Sequence, residues 1–203
     1  MNREIKQSLI ISYDKSAKDR SNRQIDEWKI IERNTFWGFL KKEEKQSLLD
    51  LGAGVGRDSK FFKDNDLKLV CIDISSISIE TCKEKGLEAY VMDFYNLEFE
   101  DRKFDCIWSL NSLLHVPKKD ISKVFEEMRR VLKPSSLIYI GTYGGYNFEG
   151  IWEEDTYEPK RFFSFYTVEE IMNILEKYFE IIYFKKIYAE KKKMDFYSII
   201  LRS

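Results

Sequence analysis

Short apolar runs alternate with amphipathic segments over the middle of the chain. The segments between the runs carry apolar residues at i, i+3, i+4 and i+7, most clearly over 120–134, where Pro134 is expected to stop a helix. The apolar runs are rich in β-branched and aromatic residues, which is typical of buried strands. They lie at 47–52, 67–75, 87–93, 103–110 and 136–143. Strands that alternate with helices predict a parallel sheet covered on both faces.

The two ends of the chain follow other patterns. Residues 21–40 mix helix formers with apolar positions and predict one helix, which ends before a charged stretch. Near the other end, Thr167 and Glu170 have the spacing of a capping box that opens a helix. The apolar segments 180–190 and 194–203 are separated by only three lysines. So short a connection predicts a hairpin, so one of these strands runs antiparallel to its neighbours.

The composition restricts the classes of protein. The chain has 203 residues, with 34 Lys and Arg against 35 Asp and Glu, and a formal net charge of −1. A near-zero charge lacks the basic footprint typical of nucleic-acid-binding proteins. No apolar run approaches the roughly 18 residues of a membrane span, and the first residues lack the pattern of a signal peptide. We interpret the scattered cysteines as reduced thiols of a cytoplasmic protein; they are Cys71, Cys82 and Cys106.

A glycine-rich turn separates the first predicted strand from the helix after it. Gly52, Gly54 and Gly56 stand at alternate positions, and glycines at such a turn let a ligand lie against the main chain. A dinucleotide site, G-x-G-x-x-G/A, has a small residue at its sixth position, where this chain has Arg57. Asp50, just before the loop, would repel a pyrophosphate and can pair with an amino group. The loop therefore favours a ligand with an ammonium group and no pyrophosphate.

Two further carboxylates end the next predicted strands. Asp73 lies 21 positions after Gly52 (73 − 52), where a carboxylate can accept hydrogen bonds from both hydroxyls of a ribose. Asp93, between Met92 and Phe94, can accept a hydrogen bond from the exocyclic amino group of a purine. The alternative interpretations are a helix cap for the first carboxylate and a turn residue for the second. A ligand with an amine, a ribose and an adenine fits S-adenosylmethionine.

These motifs, in this order, resemble those of the class I S-adenosylmethionine-dependent methyltransferases of the small-molecule type. The resemblance runs from "LDLGAGVGRDS" through "VCIDIS" and "FDCIWSLNSLLHV" to "MRRVLKPSSLIYIGTY". It implies a Rossmann-like three-layer α/β sandwich with a seven-stranded, mostly parallel sheet and an antiparallel strand in the C-terminal hairpin. We expect a single methyltransferase domain over 1–203. Its parts are an N-terminal helical or lid segment (1–46), a cofactor-binding core (47–143), an acceptor-site cap (144–166), and a helix with a hairpin (167–203).

The resemblance also assigns residues to the cofactor, S-adenosylmethionine. It implies that the glycine loop and Asp50 hold the methionine part, and that Leu110 and Asn111 flank the methyl-bearing sulfur. The whole predicted cofactor site is Asp50, Gly52, Ala53, Gly54, Gly56, Asp73, Ile74, Met92, Asp93, Phe94, Leu110 and Asn111. Tyr13, in "ISYDKSAKD", resembles the N-terminal lid that family members often have.

Methyl transfer requires a base only if the acceptor must lose a proton. His115 is the only histidine and follows the fourth predicted strand, beside the expected methyl position. A histidine with an ordinary pKa near 6.5 can serve as a general base; the alternative is that it shapes the pocket. Tyr13 and Tyr143 are further candidates for a catalytic role.

The segment 143–166 has no clear period and contains nine aromatic residues. We interpret it as an ordered cap over the acceptor site; the alternative is that its rings seal the core. Tyr146, Trp152, Arg161 and Tyr166 are the predicted acceptor-pocket residues. Arg161 can bind an acceptor carboxylate, whereas the acidic residues nearby are compatible with an amine, so the sequence leaves both open.

The acceptor is expected to be a small molecule. The chain lacks the "NPPY"-type motif and the Pro-Cys pair of enzymes that methylate nucleic-acid bases, and it shows no cluster of metal ligands. We interpret Asp101 and Asp105 as loop and strand-entry carboxylates. Methylation of RNA or protein, cofactor binding without catalysis, and nicotinamide-dependent oxidoreduction stay open as alternatives. We expect no nucleic-acid or membrane partner, no metal, and a monomer or homodimer.

Overall fold

A seven-stranded sheet runs through the computed structural model, which describes residues 2–203. A separate two-stranded sheet lies beside it. The strands are β1 (Ser47–Leu51), β2 (Lys68–Asp73), β3 (Glu88–Val91), β4 (Phe104–Leu110), β5 (Leu132–Gly144), β6 (Phe148–Ile151), β7 (Phe162–Phe165), β8 (Glu180–Ala189) and β9 (Met194–Arg202).

Six α-helices and three short 3₁₀ turns occupy most of the remaining described chain. The helices are α1 (Arg3–Asn22), α2 (Glu27–Lys42), α3 (Arg57–Asp64), α4 (Ser76–Glu84), α5 (Ile121–Val131) and α6 (Val168–Leu175). The 3₁₀ turns are Leu113–His115, Lys118–Asp120 and Glu190–Lys192.

The large sheet has the order β3-β2-β1-β4-β5-β9-β8. Only β9 runs antiparallel to its neighbours, β5 and β8. The predicted Rossmann-like sandwich with an antiparallel strand in the C-terminal hairpin is therefore confirmed. The strand order reverses between β1 and β4, which are parallel neighbours. The carboxyl ends of strands at such a reversal are the usual ligand site of an open α/β sheet.

Alternating side chains along the strands create two separate cores. Leu49 on β1 and Ile107 on β4 are fully buried in a cluster with residues of α5 and α6. The adjacent Leu48 and Trp108 are buried on the opposite face, in a cluster with residues of α2, α3 and α4. Strands buried on both faces read as continuous apolar runs, which is the pattern that the sequence shows. The buried sheet therefore provides a rigid support for the residues at the carboxyl ends of its strands.

Several local predictions agree with the structure. Thr167 and Glu170 form a capping box at the start of α6. Gly86 follows the end of α4 with φ +72°, a left-handed conformation that favours glycine. Within the described residues, no helix is long and apolar enough to cross a membrane.

Two local predictions need correction. The single helix expected over 21–40 is the end of α1 and most of α2, separated by an extended connection at 23–26. The helix expected to stop at Pro134 ends at Val131, because Leu132 already pairs with Phe104 in the sheet. The segment 143–166, which has no clear period in the sequence, contains two short strands.

That segment contains the hairpin of β6 and β7. Its aromatic residues form a third apolar cluster with Leu114 and Met194. The cluster includes Phe148, Trp152, Phe163 and Phe165. The hairpin therefore packs its rings against the turn that follows β4 and the start of β9.

Candidate active site

The glycine loop is fixed by contacts to two neighbouring strand ends. The backbone N–H groups of Gly52 and Ala53 both donate to the carbonyl oxygen of Ile72, at 2.9 Å. Gly52 has φ +84°, and a Cβ at this position would lie 2.4 Å from the Cβ of Ser112. The hydroxyl of Ser112 donates to the carbonyl oxygen of Leu51 at 2.7 Å, so Ser112 is itself held in place. Only glycine fits this position without moving the backbone.

Two buried carboxylates flank the loop. Asp50 accepts a hydrogen bond from the Ser59 hydroxyl, and burial raises its pKa well above the ordinary value. Asp73 accepts hydrogen bonds from the backbone N–H groups of Gly54 (2.8 Å) and Ser75 (2.9 Å). Burial raises the pKa of Asp73, and these two donors oppose the rise. A positively charged or hydrogen-bond-donating ligand would therefore stabilise both groups in their ionised form.

A cavity of about 350 Å³ lies at the carboxyl ends of β1 and β2. Arg3, Lys6 and Leu9 of α1 cover it from above. The predicted cofactor residues that line it are Gly52, Asp73, Ile74, Asp93, Phe94 and Asn111. Helix α1, which lies in the predicted N-terminal helical or lid segment, therefore forms one wall of the site.

The two residues predicted to hold the adenine differ in their surroundings. Asp93 forms an ion pair with Lys6 of α1, and its other oxygen accepts from the backbone N–H of Tyr95 at 3.0 Å. Met92 packs against the core under α5 and does not line the cavity. In this conformation, a purine amino group would share the Asp93 carboxylate with the ammonium of Lys6.

A second, larger cavity of about 970 Å³ adjoins the first. It extends from the glycine loop to the turn between β8 and β9, and the β6–β7 hairpin forms part of its wall. The predicted residues on its wall are Tyr13, Asp50, Gly52, Ala53, Leu110, Asn111, His115, Tyr143, Trp152 and Arg161. Gly54, Gly56, Tyr146 and Tyr166 line neither cavity.

The two cavities meet at a small set of shared residues. Tyr13, Arg20, Gly52, Asn111 and His115 line both cavities. Asn111 has φ +54°, and its side-chain oxygen is buried without a hydrogen-bond partner. An unpaired buried oxygen is costly, so this atom is suited to accept a hydrogen bond from a ligand at the junction.

A hydrogen-bonded relay crosses the junction. The Nδ1 of His115 lies 2.7 Å from the carbonyl oxygen of Phe162, and its Nε2 lies 2.5 Å from the Tyr13 hydroxyl. A carbonyl oxygen only accepts, so Nδ1 carries the proton and Nε2 accepts from Tyr13. Burial and the positive charge of Arg161 lower the pKa of His115 to about 3. The imidazole is therefore neutral and fixed in one tautomer.

Arg161 extends the relay to the β6–β7 hairpin. Its Nη1 donates to the Tyr13 hydroxyl at 3.0 Å. Its Nε and Nη2 donate to the two oxygens of Asp155, at 2.9 and 2.7 Å. A bidentate pair of this kind fixes the guanidinium plane. The charge of Arg161, which was predicted to bind an acceptor carboxylate, is thus already compensated by Asp155. The guanidinium of Arg161 mainly orients Tyr13.

Sequence reasoning missed several cavity residues. Arg20 lies near Gly54 and the Tyr13 ring, and Arg57, Trp28 and Lys29 lie on the wall of the larger cavity. The sequence did contain one signal for the residues contributed by α1. Lys6, Tyr13 and Arg20 are spaced by seven residues, which places them on one face of a helix.

The geometry of the two cavities agrees with the proteins that this chain resembles in sequence. A family model described as "Methyltransferase domain" matches residues 48–135. The chain is 30% identical over 141 residues to phosphoethanolamine N-methyltransferase 2 of Caenorhabditis elegans, a match that covers 65% of this chain and 32% of the relative. It is 33% identical over 100 residues to a glycine/sarcosine/dimethylglycine N-methyltransferase of Actinopolyspora halophila, covering 45% and 17%. The chain thus spans a third or less of these curated relatives.

One solved structure is similar over the whole chain. The Burkholderia thailandensis 1,6-didemethyltoxoflavin-N1-methyltransferase, with bound 1,6-didemethyltoxoflavin and S-adenosylhomocysteine, superposes with a TM-score of 0.78. The match has 16% identity and covers 100% of this chain and 90% of that chain. At this identity the similarity concerns the fold. Residues 48–135 thus match a methyltransferase domain, and the whole chain has the fold of a solved methyltransferase.

The residues present fit S-adenosylmethionine, which is bound in a solved methyltransferase of similar fold. Asp50 can pair with its ammonium group and Asp73 can accept from its ribose hydroxyls. The unpaired oxygen of Asn111 lies at the junction, where it can accept from a donor on the ligand. Together with the bare glycine loop, these groups would hold S-adenosylmethionine along β1 and β2.

Proposed function

We propose that this chain transfers the methyl group of S-adenosylmethionine to a small-molecule acceptor in the larger cavity. The observation that carries the proposal is the junction of the two cavities at Tyr13, Asn111 and His115. When bound, the cofactor supplies an electrophilic methyl group on a sulfonium. The protein then mainly has to place the acceptor and exclude water. Helix α1 covers the junction, which serves the second requirement.

Tyr13 is the residue best placed to orient the acceptor. A phenol has one donor and two acceptor sites. Its donor is used on His115 and one acceptor site on Arg161, so one acceptor site is left for a ligand. An N–H or O–H group that donates to it would have a defined orientation. Tyr13 is thus the proposed catalytic residue, and His115 and Arg161 are positioning residues.

The nucleophile is proposed to be a nitrogen with a free lone pair. A histidine with a pKa of about 3 is too weak a base to remove a proton from an alcohol. A neutral amine or a ring nitrogen needs no proton removed before it attacks. Two of the curated relatives and the structural neighbour are named as N-methyltransferases, which supports the same choice, although another relative is named as an O-methyltransferase.

Calorimetry and labelled transfer test the proposal. We expect S-adenosylmethionine and S-adenosylhomocysteine to bind with micromolar affinity, and labelled methyl to be transferred to members of a panel of small amines. Small alcohols and total RNA serve as comparison arms. Absence of cofactor binding in folded protein, or labelling of RNA alone, would overturn the proposal.

A variant pair tests the role of Tyr13. Tyr13→Phe removes the hydroxyl that orients the acceptor, so we expect kcat to fall by up to about 100-fold, the loss that follows from a misplaced reacting group. The affinity for S-adenosylhomocysteine should change little. Tyr90→Phe alters an exposed tyrosine of β3 and is the matched control. Equal turnover by both variants would exclude Tyr13 from the reaction.

A further inference from the structure

Four arginines gather around the ring of Tyr157 on the wall of the larger cavity. The Cζ of Arg161 lies 3.6 Å from the ring centroid, and that of Arg23 lies 5.9 Å away. Arg20 donates to the Tyr157 hydroxyl at 3.4 Å. Arg57 donates to the backbone carbonyl of Arg23 at 2.9 Å and completes the group. All five side chains line the same cavity.

The charges of this arginine group are poorly compensated by the protein. Among the described residues, Arg161 has the partner Asp155, whereas Arg20, Arg23 and Arg57 have no carboxylate within ion-pair distance. Of the carboxylates on the same cavity wall, Asp58 is paired with Arg33, and Asp26 with Lys29 and Lys191. The Nε of Arg20 is buried without any hydrogen-bond partner. Clustered like charges raise the potential of a cavity and favour a bound anion. The group is therefore built to be neutralised by a ligand.

The pKa of the Tyr157 phenol reflects the same positive potential. Burial by itself would raise its pKa, but the charge and hydrogen bond of Arg20 and the charge of Arg161 outweigh it, and the pKa is lowered. The opposite holds for Tyr13 at the junction, whose pKa burial raises despite Arg161. The excess of positive charge is thus concentrated around Tyr157.

Binding of the cofactor does not remove this excess. Under the proposed function, on which this inference rests, the ligand brings a sulfonium, an ammonium and one carboxylate. Asp50 can neutralise the ammonium, and Arg20, beside the glycine loop, can take the carboxylate. The sulfonium, Arg23 and Arg57 then face the acceptor side of the cavity without a directly paired carboxylate, since Asp58, which interacts with Arg57 electrostatically, is paired with Arg33.

We propose that the methyl acceptor carries an anionic group, a phosphate or a carboxylate, which Arg23 and Arg57 bind beside Tyr157. Its nucleophilic nitrogen then lies at Tyr13. The rings of Tyr157 and Tyr13 have centroids 6.0 Å apart. The anionic group and the reacting atom are therefore separated by only a few bonds. The acceptor is thus a compact anionic or zwitterionic amine, and two arginines set the specificity for its charge.

The test uses anionic probes on protein saturated with S-adenosylhomocysteine. Inorganic phosphate and benzoate are titrated separately, with benzamide as the uncharged counterpart of benzoate. Calorimetry or the fluorescence of Trp28 and Trp152, which line the cavity, gives the affinity. We expect at least one anion to bind saturably with a Kd in the millimolar range or below, and benzamide to bind at least tenfold more weakly. The preferred anion distinguishes a phosphate from a carboxylate.

Variants connect the binding to the arginines. Arg23→Gln and Arg57→Gln should each weaken the anion at least tenfold, because a charge-assisted hydrogen bond is lost. Arg129→Gln, an exposed arginine on α5, should leave it unchanged. Failure of both anions to bind, or equal binding by all variants, would overturn the inference.

The design separates this inference from the proposed function. The affinity for S-adenosylhomocysteine is measured first in every sample. Loss of that binding in the unmodified protein contradicts the proposed function itself. Normal cofactor binding without anion binding contradicts only the charged acceptor. A variant that loses cofactor affinity but keeps anion affinity reassigns its arginine to the cofactor and also overturns the inference for that residue.

Discussion

The imidazole of His115 is expected to stay neutral in the folded protein down to about pH 4. Burial and the charge of Arg161 hold its pKa at about 3, against about 6.5 for an exposed histidine. This difference corresponds to a preference of about 5 kcal/mol for the neutral form. Protonation would also remove the acceptor that binds the Tyr13 hydroxyl at 2.5 Å. The buried position of His115 between Tyr13 and Arg161 therefore accounts for both the relay and the low pKa.

Nuclear magnetic resonance can measure this directly. His115 is the only histidine in the chain, so its imidazole gives a single Cε1–H resonance. We expect the chemical shift of that resonance to stay constant from pH 8 to pH 4.5. A titration with a midpoint between 6 and 7 in the folded protein would refute the buried, neutral tautomer and with it the assignment of Tyr13 as donor.

The same pKa predicts a dependence of stability on pH. The unfolded chain binds a proton at His115 below about pH 6.5, and the folded chain does so only near pH 3. The free energy of unfolding therefore falls as the pH drops through this window, by about 1.4 kcal/mol per pH unit. Between pH 7 and pH 5 the loss from this group is about 2 kcal/mol. Urea denaturation should show that loss in wild type beyond that of His115→Gln; equal losses would contradict the prediction.

Three further predictions concern the loop, the buried carboxylate of α2 and the cofactor. Gly52→Ala should lower the free energy of unfolding by more than about 1 kcal/mol, because its Cβ would meet Ser112. Gly38→Ala, on α2 with open space around it, should raise it by about 0.5–1 kcal/mol; similar effects in the two variants would exclude the steric explanation. Glu32→Ala removes a buried acceptor of three hydrogen bonds and should cost about 2–3 kcal/mol in urea denaturation, and Glu32→Gln should cost less. Asp73→Ala should weaken S-adenosylhomocysteine at least about 100-fold, since two hydrogen bonds of about 1.5–3 kcal/mol each are lost; near-normal affinity in calorimetry would contradict the ribose assignment.

The sheet and the glycine loop were predictable because their signals are local. Buried strands produce apolar runs, and a capping box or a hairpin is specified by a few adjacent residues. Asp50 and Asp73 lie at or next to the carboxyl ends of their strands, so their convergence follows from the parallel order of β1 and β2. The resemblance to a known family added the number of strands and the antiparallel position of β9.

Helix α1 was not predictable over its full length. Only Leu9, Ser12 and Ala17 are buried along its 20 residues, so the apolar stripe is too short to give a clear period. Its position is set by polar contacts to distant parts of the chain, such as those of Lys6 with Asp93 and of Tyr13 with His115. Contacts of this kind leave no apolar period in the neighbouring sequence.

The sequence by itself thus determined the order of strands and helices from β1 to β5, the bare loop and the strand-end carboxylates, because each depends on residues close together in the chain. Only the tertiary structure decided how the loop and the hairpin face each other. Tyr13 is 102 positions from His115 and 148 from Arg161, and the arginines around Tyr157 come from α1, the connection after it, α3 and the hairpin. A sheet that holds all these segments at one edge brings their charges and hydrogen bonds within reach, and packing across the whole chain is what fixes that arrangement.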